Sequence, residues 1–188
     1  MIETSEFRKG AKLELEQQPF TIVDFEHHKP GKGNTFTRAK LRNLITGQML
    51  ERTFKSGEKF PSPDIEAKEM QFLFAEQTIL TFMDTENYEQ ITLNAAVLKD
   101  SLMFLKDGTV VTVLFYNGKP ITVELPIFVE LPIEYCEPGF KGDTATGATK
   151  PATLAGGHKV TVPLHLKQGD VLKIDTRDGA YIEKVNKN

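Results

Sequence analysis

The segment Lys29-Pro30-Gly31-Lys32-Gly33 holds the residue types that most directly suggest chemistry in this 188-residue chain. Pro30 presets the backbone on the approach, and Gly31 and Gly33 allow positive φ on each side of Lys32. Such a turn projects one long primary amine with little steric cover. On its own this pattern describes many solvated surface turns. The residues that follow strengthen it. Arg38, Lys40 and Arg42 are spaced two apart within Thr35–Leu44, so a strand would place all three on one face and Thr37, Ala39 and Leu41 on the other. Phosphate contacts are made mainly by Lys and Arg. A projecting amine beside a row of cations suits an RNA backbone.

Other candidate groups fall away. His27 and His28 are adjacent, so a strand sends them to opposite faces, and no further His or Cys lies at metal-ligand spacing. The stretch Gly142-Asp143-Thr144-Ala145-Thr146-Gly147-Ala148-Thr149-Lys150 has the glycines of a phosphate loop, but Ala148 stands where a Walker loop needs Lys. Nucleotide hydrolysis is excluded on that ground. A loop of Gly and Thr can still offer N–H groups and hydroxyls to an RNA backbone. Asp175 and Asp178 flank Arg177-Asp178-Gly179 and read as turn residues, not as an acid–base pair. Cys136 has no activating His placed by motif and reads as a strand cysteine. No catalytic constellation remains, so the expectation is a non-enzyme without metal or cofactor.

The elements that must position these residues are strands. Lys12–Glu16, Phe20–Glu26, Thr35–Leu44 and Met49–Lys55 form a first strand-rich unit with Gly-containing turns. Lys59-Phe60-Pro61-Ser62-Pro63-Asp64 reads as a boundary, because two prolines cannot donate to a ladder. A second unit carries Asn117-Gly118 between alternating runs, a strong hairpin signal, and one expected short helix over Ala95–Leu105. Pro126 opens a third unit. The expected division is 1–64, 65–127 and 128–188, each a small barrel. The net charge of −3 divides as +2, −5 and zero over these units, while residues 27–59 alone carry +6. That local field can steer an RNA contact although the whole chain is acidic. A general single-strand binder built on these units would need basic grooves, and charges of −5 and zero in the second and third units argue against it. No apolar run approaches the ~20 residues that span a bilayer, and the acidic start lacks a signal-peptide pattern. With one cysteine, a cytoplasmic location is expected.

Four segments in order resemble elongation factor P: Glu6-Phe7-Arg8-Lys9-Gly10, the tip Lys29–Gly33, Tyr135–Lys150 with Pro138-Gly139-Phe140-Lys141-Gly142-Asp143-Thr144-Ala145, and Asp175-Thr176-Arg177-Asp178-Gly179-Ala180-Tyr181. The resemblance covers nearly the whole chain, including a third domain that the hypusine-containing factors of archaea and eukaryotes lack. Asn34-Thr35 and Asp178-Gly179-Ala180 depart slightly from the family pattern. The resemblance implies an all-β protein with an N-terminal SH3-like (KOW-type) barrel and two OB-folds, L-shaped and tRNA-like. It implies a monomeric translation factor that binds both ribosomal subunits between the P and E sites and promotes bond formation at consecutive prolines. Lys32 matches the position that a lysine-modifying enzyme extends. Lys29, Pro30, Gly31 and Gly33 would approach the acceptor end of a peptidyl-tRNA carrying proline. Arg38, Lys40 and Arg42 would support it through phosphates. The loop Gly142, Asp143, Thr144, Ala145, Thr146 and Gly147 would lie near the E-site codon. Neither DNA nor a membrane is an expected partner.

Overall fold

A computed structural model describes residues 1–31, 33–138 and 147–185. Among these the secondary structure is sixteen strands and three short 3₁₀ turns. The chain forms two compact units, Met1–Lys68 with Val113–Val123, and Glu69–Thr112 with Glu124–Asn188.

In the first unit, β1 (Ile2–Glu3) pairs with β6 (Lys59–Phe60), and β2 (Lys12–Leu15), β3 (Gln18–His28), β4 (Phe36–Asn43) and β5 (Met49–Lys55) form a four-stranded antiparallel sheet in chain order. The alternation read from the sequence is realised in β4. Thr37, Ala39 and Leu41 are buried, and Arg38, Lys40 and Arg42 are exposed. The inward residues join Phe7, Leu13, Phe20, Ile22, Phe54 and Phe60 in one apolar core. Phe7, Phe54 and Phe60 meet mainly edge to face, with centroids 5.0–6.2 Å apart, a favoured aromatic geometry. A bulge at Val23 breaks the β3–β4 ladder: Ile22 pairs with Leu41, and Asp24 with Lys40.

A five-stranded sheet follows in the order β11-β10-β7-β8-β9, made of β7 (Ile65–Glu76), β8 (Ile79–Asp84), β9 (Gln90–Asn94), β10 (Val110–Tyr116) and β11 (Lys119–Glu124). Asn117 and Gly118 join β10 to β11 with φ of 49° and 76°, the paired positive φ expected of an Asn-Gly hairpin. A second five-stranded sheet has the order β14-β13-β12-β15-β16, from β12 (Phe128–Cys136), β13 (Thr149–Leu154), β14 (Lys159–Pro163), β15 (Val171–Asp175) and β16 (Tyr181–Lys184). It wraps a core of Val129, Leu131, Ile133, Leu154, Val162, Leu166, Leu172 and Ile174.

The expected helix over Ala95–Leu105 is instead two 3₁₀ turns, Ala95–Val97 and Lys99–Phe104. Lys99 sits at φ 47°, a left-handed conformation that cannot continue a helix. The break lets Phe104 enter the apolar core around β12. It also brings the backbone of Met103 so close to Gly156 that a Cβ there would lie 2.3 Å from the Met103 carbonyl oxygen.

One loop recurs three times where the sequence shows no exact repeat. It joins β4 to β5 (Asn43–Gln48), β8 to β9 (Asp84–Glu89) and β15 to β16 (Asp175–Ala180). In each, the buried first side chain accepts a hydrogen bond from the backbone N–H two residues on. In each, the fifth residue donates its N–H to the first carbonyl, and the sixth carbonyl accepts from the first N–H. The fourth side chain (Thr46, Asn87 or Asp178) then accepts from the sixth N–H. The fifth residue is left-handed throughout: Gly47, Tyr88 and Gly179 have φ of 71°, 63° and 73°.

Candidate nucleic-acid interface

The long hairpin of β3 and β4 carries the proposed chemistry. Its 11-residue first strand is tied at the base by Phe20 and Ile22 in the core. Further out the ladder is sealed by side chains. The His27 Nδ1 lies 2.7 Å from the Thr37 hydroxyl oxygen, and the Phe25 ring packs on His27 edge to face. On the other face the His28 ring stacks on Phe36 at 4.9 Å. The two histidines thus serve opposite faces, and among the described residues no cluster of His, Cys, Asp or Glu could hold a metal ion. Beyond these rings Lys29, Pro30, Gly31, Gly33 and Asn34 are all exposed. Gly33 has φ 124°, as a hairpin tip requires, whereas Gly31 lies outside the left-handed region. Lys32 lies outside the described residues.

The outward row of β4 is where sequence and structure part. Arg38, Lys40 and Arg42 do share one exposed face, but acids on the neighbouring strands stand beside them: Asp24 and Glu26 from outside residues 27–59, and Glu51, already counted in the +6. Glu26 pairs across β3 with Arg38, and Asp24 with Lys40. From β5, Glu51 pairs across with Lys40 and accepts from the Arg38 Nε at 2.7 Å. Lys9 reaches Asp24 at 2.9 Å. That hydrogen bond, with the charges of Lys9 and Lys40, holds the Asp24 carboxyl below its usual range. Arg42 faces Thr21 and Met49 instead, and among the described residues it makes no ion pair. A window along the chain cannot see Asp24 and Glu26, which precede it and return beside it only through the hairpin.

In the second unit, Gly142, Asp143, Thr144, Ala145 and Thr146 lie outside the described residues, and Gly147 is exposed at φ 95°. Lys150, at a buried position of β13, donates its ammonium to the Glu137 carbonyl at 2.7 Å and so links the two flanks of that loop. The sequence did carry a signal for it, because Lys150 occupies an inward step of the alternation through Ala152 and Leu154. Asp175 and Asp178 act within their turn. The Asp175 carboxylate accepts from the Arg177 backbone N–H and Nε, both at 2.9 Å. The guanidinium pulls the Asp175 pKa down to about 2.

Family models match the chain in three consecutive stretches: the elongation factor P KOW-like domain over residues 3–60, its OB domain over 65–123 and its C-terminal domain over 129–184. The chain is 53% identical over 186 residues to elongation factor P of Bdellovibrio bacteriovorus, covering 99% of each protein. It is 50% identical to that of Thermoanaerobacter sp. over 98% of this chain and the whole of the relative. The chain belongs to the elongation factor P family.

Members of the elongation factor P family are translation elongation factors. The hairpin and its charged face fall within the KOW-like match, and Lys150 with the Asp175 turn within the C-terminal match. A solved structure, eukaryotic translation initiation factor 5A from Methanococcus jannaschii, is similar in fold, with a TM-score of 0.53 and 22% identity. It covers 65% of this chain and 92% of that one. No helix among the described residues is long and apolar enough to cross a membrane.

Proposed function

We propose that this elongation factor binds the ribosome between the P and E sites and speeds peptide bonds between consecutive prolines by holding the peptidyl-tRNA in a reactive geometry. The observation that carries the reading is the exposure of Lys29, Pro30, Gly31 and Gly33 at the end of a long hairpin, in a chain that matches the family over nearly its whole length. Lys32 acts at that tip, extended by a modifying enzyme so that a longer amine reaches the acceptor end of the tRNA. Charge-assisted hydrogen bonds from such an amine to backbone oxygens are short and strong.

Proline is a poor nucleophile within a restricted chain. Fixing the tRNA lowers an entropic barrier without an acid or base from the protein. The ribosome forms the bond, and this chain serves as an accessory factor, a monomer in the cytoplasm that needs no cofactor. Arg38, Lys40 and Arg42 lend phosphate contacts, and the loop Gly142–Gly147 lies beside the E-site codon on the small subunit. The three family matches support a division into domains at 1–64, 65–127 and 128–188.

The test is synthesis through three consecutive prolines in a reconstituted system, with protein from its native host and Lys32→Ala alongside. Faster synthesis that depends on Lys32 is the expected result. No acceleration by the native protein would overturn the reading.

A further inference from the structure

The outward face of β3, β4 and β5 is mixed, not uniformly basic: acids interleave with its cations, and Arg42 adds a further positive charge. Lys9, Arg38 and Lys40 stand against Asp24, Glu26 and Glu51 in one interleaved patch. Asp24, Glu26, Arg38, Lys40 and Glu51 line a shared shallow groove with Phe25. The ion pairs are exposed, with the Arg38 and Glu51 side chains 59% and 44% accessible, so they are weak and exchangeable. Apolar Met49 and neutral Thr21 flank Arg42 in their place.

We propose that Asp24 and Glu51 are specificity residues. Asp24 pairs with Lys9 and Glu51 with Arg38, and both acids lie directly across from Lys40, so that this face refuses RNA in general, while Arg42, with no acid across from it on either strand, is left as the standing phosphate contact. The inference rests on the reading of this face as an RNA contact and names what it discriminates. A mobile single strand must order itself and displace a carboxylate at each cation, trading one exposed ion pair for another. A folded RNA presents phosphates already in place, so that ordering cost is absent. Once Arg42 is engaged, Arg38 and Lys40 can exchange their carboxylates for phosphates in the same encounter. Such built-in repulsion is the ordinary means by which a surface rejects wrong partners.

The experiment measures binding of a labelled uridine oligonucleotide to the full chain between 50 and 200 mM salt. Wild type is compared with Asp24→Asn, Glu51→Gln, the double variant and the charge exchange Arg38→Glu with Glu51→Arg. Each neutralised acid should steepen the log–log salt slope by about 0.7, and the double variant by about 1.4. Over that fourfold range each acid then adds about 2.6-fold to the change in affinity. The charge exchange should return to the wild-type slope, which separates screening from local damage. In co-sedimentation with ribosomes, excess polyuridine should strip the double variant and spare wild type. Unchanged slopes in the double variant, or a charge exchange as steep as Glu51→Gln, would overturn the proposal. Failure of wild type to sediment with ribosomes would instead remove the functional reading, while the slopes still decide whether the acids screen.

Discussion

Strand β4 begins at one loop and ends at another, and the two are built on opposite plans. The Asn43–Gln48 loop is closed upon itself. Asn43 is buried, its side-chain oxygen takes the N–H groups of Ile45 and Thr46, and its amide nitrogen donates to the Gln18 side-chain oxygen. Among its described residues the Lys29–Thr35 loop at the other end shows no such wiring. Among the described residues Lys29 and Asn34 make no side-chain hydrogen bond, and the loop is exposed up to Asn34. A loop whose polar groups are satisfied internally stabilises the barrel and offers little to a partner. One that leaves them free depends on the stacked rings at its base for position and keeps its donors for something else. The same closed plan returns at Asp84 and Asp175, so the tip is the exception among these hairpins.

Substitutions can break or sharpen that contrast. The largest effect is expected from Asn43→Ala, which removes the acceptor of two backbone N–H groups, those of Ile45 and Thr46, from a buried position. The loss should be about 2–3 kcal/mol, read from the urea midpoint, with Asn43→Asp losing less because the accepting oxygen remains. Gly47→Ala places a Cβ at φ 71° and should cost about 1–2 kcal/mol. Tyr88→Gly in the sister loop should run the other way. It relieves a φ of 63° at an exposed side chain and raises stability by up to about 1 kcal/mol, the relief being partly offset by the entropy of glycine.

The third closed loop adds a pH signature. Asp175 is held at about 2 in the folded chain, against 3.8 ordinarily. A depressed carboxylate contributes stability that is complete above the unfolded value and is lost as pH falls from about 3.8 toward 2. Arg177→Gln should flatten that part of the acid-unfolding curve. Smallest of all, Gly31→Ala at the open tip should shift the urea midpoint by less than about 0.5 kcal/mol, since Gly31 is exposed and not left-handed. A large loss there would mean that the tip is wired after all.

Much of the strand plan was legible because burial on one face imposes a period of two, and β4 obeys it residue by residue. Asn117-Gly118 was legible because few other pairs tolerate two positive φ values. The electrostatics of the candidate site were not. Charge was summed along the chain, but fields add in space: β3 brings Asp24 and Glu26 from outside residues 27–59 beside the cations, where they join Glu51 of β5. The recurring loop was hidden because its wiring depends on an oxygen at two positions, which Asn, Asp and Thr all supply. Its one non-glycine left-handed residue, Tyr88, gave no hint of a turn. The helix expected over Ala95–Leu105 failed at Lys99, whose left-handed φ separates two 3₁₀ turns, with Leu98 and Phe104 buried on either side of it.

The bulge at Val23 has a mechanical consequence. Removing that one residue would leave Ile22 opposite Leu41 and Asp24 opposite Lys40, so the ladder does not need it. What an extra residue changes is bend and twist. From Asp24 to Lys29 the hairpin runs a further five residues, an arm of about 17 Å at strand rise. A 10° change of bend at Val23 would therefore swing the Lys29 end of the strand by about 3 Å. Val23 is the sighting screw of this lever: it sets where the hairpin aims, not whether it forms.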